Sequence, residues 1–120
     1  MAHGEITHLD LPSDDLGRAK AFYEGLFGWK TQGMPEFPDY EVFQSGPDGV
    51  GGGIGLRGET APNAPRIYVS VDSIDATLAK VEGLGGDVVV EKTEVPGMGW
   101  YAAIHDSEGS EIGIWEGLPG

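Results

Sequence analysis

Short stretches in which apolar and polar residues alternate are interrupted twice by apolar residues at helical spacing, and this order of patterns runs through the chain two times. Ile6 to Leu11 alternates as Ile-Thr-His-Leu-Asp-Leu and is closed by Pro12 and Ser13, the pattern of a half-buried strand. Asp14 and Asp15 supply cap and first-turn carboxylates for a helix in which Leu16, Ala19, Phe22, Tyr23 and Leu26 form one stripe, so Phe22 and Tyr23 are expected in the core. Gly28 ends that helix, because glycine takes the left-handed backbone a C-terminal cap needs. Strands are predicted over residues 29–32, 40–44 and 50–56, with Met34 to Pro38 a loop placed to fold over a cavity mouth.

Arg57 to Pro65, with Gly58, Pro62, Asn63 and Pro65, reads as a linker, after which the order recurs. Arg66 to Val71 is a strand, Ser73 a helix cap, and Ile74, Leu78, Val81 and Leu84 an apolar stripe ended by Gly85 and Gly86. Strands near residues 88–92, 100–105 and 111–116 follow, with turns at Pro96-Gly97 and at residues 106–110. The order is βαβββ twice. An offset of 58 residues aligns Asp14 with Asp72, Gly28 with Gly86, Phe43 with Tyr101, and Ile54-Gly55-Leu56 with Ile112-Gly113-Ile114. Two copies of one supersecondary unit, about residues 4–57 and 64–118, are therefore expected in a single α+β domain over residues 1–120. Units of this size bury too little surface to stand alone and are expected to share a core.

Composition narrows the chemistry. With 20 acidic residues against 7 Lys and Arg, the net charge of −13 repels nucleic acid and anionic membranes, whose main affinity term is contact between basic side chains and phosphate. The same charge suits either a solubilising surface or attraction of a cationic ligand. No apolar run approaches a bilayer span, the N-terminus has no signal-like segment, and there is no cysteine, so a cytoplasmic location is expected and thiol chemistry is excluded. Residues 49–55 are glycine-rich, but neither a following helix nor a Lys-Ser or Lys-Thr pair accompanies them, which argues against phosphate binding. Glycines at 51, 52, 53 and 55 instead leave one strand almost without side chains, the mark of a bulge or of close approach by a ligand or another backbone. No Ser-His-acid set with a nucleophile elbow is present.

The segments "ITHLDLPSDDLGRAKAFYEGLFGWK", "VSVDSIDATLAKVEGLGGDVV" and "GWYAAIHDSEGSEIGIWE" resemble the vicinal oxygen chelate superfamily, which includes glyoxalase I, bleomycin resistance proteins and extradiol dioxygenases. The resemblance implies two βαβββ repeats forming a half-open, barrel-like sheet with the helices outside and a ligand on the concave face. Strand alternation then turns His8 and Asp10, and Arg66, Tyr68 and Ser70, toward that face, with Gly53, Gly55, Glu111, Gly113 and Trp115 on the fourth and eighth strands. Metal-dependent members hold a divalent ion with one side chain from each of the first, fourth, fifth and eighth strands. Those positions here are His8, Gly55, Arg66 and Gly113, so only His8 remains, and no metal or other cofactor is expected. A relocated set built from His8, Glu111 and either Asp10 or His105, holding zinc, nickel, iron or manganese, is the alternative.

Arg66 needs a partner, either Asp10 or Glu111 or an anionic group on a ligand. Phe43, Tyr68, Trp100, Tyr101 and Trp115 either wall a flat ligand's pocket or pack as core or dimer interface. The resemblance thus implies a metal-free protein that binds a small, partly aromatic or cationic molecule through residues among His8, Asp10, Phe43, Arg66, Tyr68, Trp100, Tyr101, Glu111 and Trp115. The other reading is a lyase or dioxygenase of the glyoxalase type. Family members commonly pair as homodimers, and the same is expected here.

Overall fold

A computed structural model describes residues 3–119. The strands are β1 (Ile6–Ser13), β2 (Lys30–Met34), β3 (Phe37–Gln44), β4 (Gly51–Leu56), β5 (Arg66–Ser70), β6 (Asp87–Val95), β7 (Gly99–His105) and β8 (Glu111–Gly117); the helices are α1 (Leu16–Phe27) and α2 (Ile74–Val81). The order is βαβββ twice, as the patterning predicts. The chain separates into two compact units, His8–Arg66 and the chain from Ile67 on together with the segment up to Thr7. No helix among the described residues is long and apolar enough to cross a membrane.

In the first unit the strand order is β2-β3-β4-β1, with β4 parallel to β1 and antiparallel to β3. Opposite residues on paired strands share a face, so the registers of His8 with Gly51, Leu9 with Gly52 and Asp10 with Gly53 sort the side chains into two sets. Leu9 and Phe43 share one face, and α1 covers it through a run of rings. Phe43 stacks on Trp29 at 4.4 Å, Trp29 on Tyr23 at 5.2 Å, and Tyr23 meets Phe22 edge-on at 5.4 Å. His8, Asp10 and Tyr40 belong to the opposite face.

The helix forms where its caps are. The Asp15 side chain accepts the Arg18 N–H at 2.9 Å, and Gly28, at φ 73°, sends its own N–H to the Glu24 carbonyl. Yet no residue of α1 is buried, and Phe22, expected in the core, is 58% exposed. The stripe spans a wide arc of which only the Tyr23 side meets the sheet; Phe22 sits on its flank.

The second unit has the order β5-β8-β7-β6, with β5 parallel to β8. Its helix is capped as expected, Ser73 accepting the Ala76 N–H, and Ile74 and Val81 are buried. But α2 ends at Val81, a 3-10 turn at Glu82–Leu84 leads to Gly85, and Leu84, expected on the apolar stripe, is 77% exposed because that turn carries it off the helix face. Val71, Ile74, Ala102 and Ile114 form the core, with Val69, Leu78 and Trp100 packed on it.

Two expectations change. Met34 to Pro38 does not form a lid: β2 and β3 pair through a tight hairpin in which Met34 opposes Phe37. Pro38 and Asp39 fall in the gap between that pair and the Gly33–Glu41 pair, so proline removes no ladder bond there, and Asp39 absorbs the irregularity at φ 62°. The alignment of Phe43 with Tyr101 is not a structural equivalence either. Gly55 opposes Tyr40 while Gly113 opposes Ala103, which makes Ala103 the counterpart of Tyr40. The 58-residue offset holds for the first and last strands of the units and slips by five residues in the third.

Candidate functional site

The side chains of β1 and β3 meet over the glycine strand. Because β4 carries almost no side chain toward Asp10, the Tyr40 ring lies over Gly53, where an added Cβ would collide with the ring and its hydroxyl. The Tyr40 hydroxyl donates to Asp10 Oδ1 at 2.6 Å, and His8 Nε2 stands 3.0 Å from both oxygens. Asp10 is 6% exposed, and its carboxylate is held there by these donors. The tyrosine has one proton and gives it to the carboxylate, so the contact of His8 Nε2 with both oxygens requires the imidazole to carry a proton on that nitrogen. In the neutral ring Nδ1 is then the acceptor. The His8 side chain is 36% exposed and is the outward end of the group.

Sequence reasoning named His8 and Asp10 and missed Tyr40. A strand with glycine at 51, 53 and 55 needs a bulky neighbour to fill its face, and a tyrosine on the adjoining strand was the available signal. The glycines therefore make room for the chain's own side chains.

The other candidates separate by face. Phe43 lies against Trp29 on the α1 side, away from His8 and Asp10. Trp100 packs on the α2 core, with Lys92 Nζ 5.0 Å from its ring centre. On the opposite face of the second unit, Tyr101 opposes Trp115 and Tyr68 opposes Gly113. Arg66 and Tyr68 are buried, and Glu111 is half-buried at the start of β8, opposite His105. His105 Nδ1 donates to Asp87 at 2.8 Å and, with His3, Lys80 and Leu84, lines an open cleft of about 610 Å³ beside α2.

A family model described as bleomycin resistance protein-like N-terminal matches residues 5–46. A glyoxylase-like domain-containing protein of Didymella fabae is 30% identical over 124 residues, covering 95% of this chain and 94% of its own. The chain belongs to the glyoxalase/bleomycin resistance/dioxygenase superfamily. A superfamily member from Vibrio splendidus has the same fold, with a TM-score of 0.68 at 10% identity over 96% of this chain and 99% of its own. The anthracycline biosynthesis protein DauV of Streptomyces is 28% identical over 96% of this chain. The chain spans about half the length of such curated relatives, 48% of DauV and 45% of CFP32 of Mycobacterium bovis.

The superfamily's metal does not fit the residues at its four positions. At Gly55 a Cβ would come within 2.8 Å of Thr60 Oγ1 and 2.9 Å of its carbonyl carbon, because the 57–61 segment folds back over β4. Thr60 is fixed there, donating to the Asp39 carbonyl and accepting the Leu56 N–H. At Gly113 a Cβ would run into the Tyr68 ring. Neither position can take a carboxylate without displacing what covers it, Arg66 is a fixed cation, and His8 Nε2 already faces Asp10 and Tyr40. Among the described residues no group of three His, Asp or Glu is arranged to hold a metal ion, the relocated set included.

Proposed function

We propose that this chain binds a small, flat, cationic aromatic molecule on the β1–β4 face of the first unit, through the His8–Asp10–Tyr40 group and without a metal. The observation that carries the reading is the fixed donor order at Asp10. The buried Asp10 carboxylate, oriented by a phenol and an imidazole, fixes the partly exposed His8 ring as the outward end of the group. The net charge of −13 favours approach of a cation. The similarity to a relative named for anthracycline biosynthesis supports an aromatic body.

Proflavine, a planar fluorescent cation, is a suitable probe, with naphthoate as the anionic control. The expected result is micromolar binding of proflavine, weakened about tenfold or more by Asp10→Asn and by Tyr40→Phe, with naphthoate bound far less well. Equal binding of the two probes, or proflavine affinity untouched by both substitutions, would overturn the assignment. Metal analysis of protein purified without chelator bears on the lyase or dioxygenase reading. Stoichiometric zinc, nickel, iron or manganese that disappears in His8→Ala would establish that reading instead.

A further inference from the structure

Of the three glycines that β4 turns toward the His8 and Asp10 face, two are covered by the chain itself. Gly53 lies buried under the Tyr40 ring and Gly55 under Thr60, whereas Gly51 is half-buried. The registers place Gly51 between His8 of β1 and Gln44 of β3, so all three share that face. His8 and Gln44 stand two strand spacings of about 4.8 Å apart, about 10 Å in all, a span matched by a three-ring body.

Gln44 is oriented as an acceptor. Its Nε2 donates to the Gly46 carbonyl at 2.7 Å and to the Gly49 carbonyl at 2.9 Å, which commits both amide protons. The same two carbonyls decide which end of the amide is nitrogen, because an oxygen in that place would face two acceptors. Oε1 is therefore turned toward Gly51, where an added Cβ would stand 3.0 Å from it. The turn that receives the amide is closed by its own bonds, Ser45 Oγ to the Val50 carbonyl and the Gly49 N–H to the Gly46 carbonyl. A fixed, exposed acceptor with no proton to give discriminates among ligands: a partner that covers it must bring an N–H or O–H, or leave it desolvated and unpaired.

We infer that Gln44 is a ligand-binding residue of the His8–Asp10–Tyr40 face, and that it selects a flat cation whose rings carry N–H groups, one of which donates to Gln44 Oε1. This rests on the cation-binding reading above and narrows it. Lys30, opposite Gln44 on β2, is exposed in the same row and limits the cationic site on that side. Its charge opposes every cation alike, whereas Gln44 separates cations with N–H groups from those without.

Proflavine and acridine orange provide the test. Both are planar cations at neutral pH on one three-ring skeleton, but proflavine ends in primary amino groups and acridine orange in dimethylamino groups that have no N–H. Isothermal titration gives the ratio of the two affinities in wild type and in Gln44→Met, which keeps the length of the side chain and removes its amide oxygen. The preference for proflavine is expected to fall about tenfold or more in the variant. Movement of the 45–50 turn after its two hydrogen bonds are lost weakens both dyes and cancels in the ratio. Lys30→Ala should strengthen both and leave the ratio unchanged. An equal ratio in wild type and Gln44→Met, with Asp10→Asn and Tyr40→Phe still weakening proflavine, would overturn the role of Gln44 and leave the site standing. Absence of proflavine binding to wild type would remove the site and the inference together.

Discussion

Tyr40 and Gly53 have to be understood together, because each explains the other. The ring occupies the space a Gly53 side chain would need, and its hydroxyl is drawn down onto Asp10. Alanine at an ordinary strand position gains over glycine, since it costs less backbone entropy and packs better. Here the new methyl group must displace a ring whose position is set by a charge-assisted hydrogen bond. Gly53→Ala should therefore destabilise the protein by about 1–3 kcal/mol, combining overpacking with a strained bond at a buried carboxylate. In a Tyr40→Ala background the same change should be neutral or stabilising. Urea denaturation of the four proteins gives the coupling directly, and an equal cost in both backgrounds would remove Tyr40 from the account. The residue was hard to find in the sequence because a lone tyrosine beside Pro38 and Asp39 carries no periodicity. Its meaning comes from the glycines across the strand pair, and that pairing is visible only once the register is known.

Among the elements, helices and most strands were legible because their punctuation is local. Asp15, Gly28, Ser73 and Gly85 cap as their types predict. What escaped was pairing. The hairpin at Met34–Phe37 reads as a loop because Pro35 sits in its turn and Pro38 follows it, and the five-residue slip of the third strands is hidden by matches on either side of it. One contact between elements carries its own pH signature. Glu24 on α1 accepts from the Thr31 hydroxyl and N–H on β2, and the hydroxyl bond, aided by the backbone bond and Lys20, holds its carboxyl below the ordinary value of 4.5 against a smaller opposing effect of burial. A carboxylate with a lowered folded pKa contributes stability that is present above the unfolded value and is lost as pH falls through the folded one. Thermal midpoints of wild type and Thr31→Val should thus differ most near neutral pH and converge as pH drops below 4.5. A difference that stays constant across that range would mean the threonine acts through packing alone.

At the scale of the molecule, duplication has given two units with one architecture and different burdens. The first holds the polar group over a glycine strand, and the second carries net −9, with Asp87, Glu91 and Glu94 all on β6, the outer strand of its sheet. The resemblance to a known superfamily fixed the fold and the positions to inspect, but not their content, since one fold hosts many chemistries. What occupies Gly55 and Gly113 is a matter of neighbours that no spacing rule reports. The charge, by contrast, is fully legible and has a thermodynamic consequence. Like charges crowded on one unit repel over a Debye length, about 30 Å at 0.01 M salt and about 3 Å at 1 M, so the folded state should be least stable in dilute buffer. Glu91 and Glu94 are exposed, and lysine there leaves strand propensity little changed. The double variant Glu91→Lys, Glu94→Lys should therefore unfold at a higher temperature than wild type in dilute buffer, with the gain fading as salt approaches about 1 M. Calorimetry across that range separates the causes. A gain that persists at high salt would assign it to local strand contacts, and no gain at low salt would show that the acidity of this unit does not strain its fold.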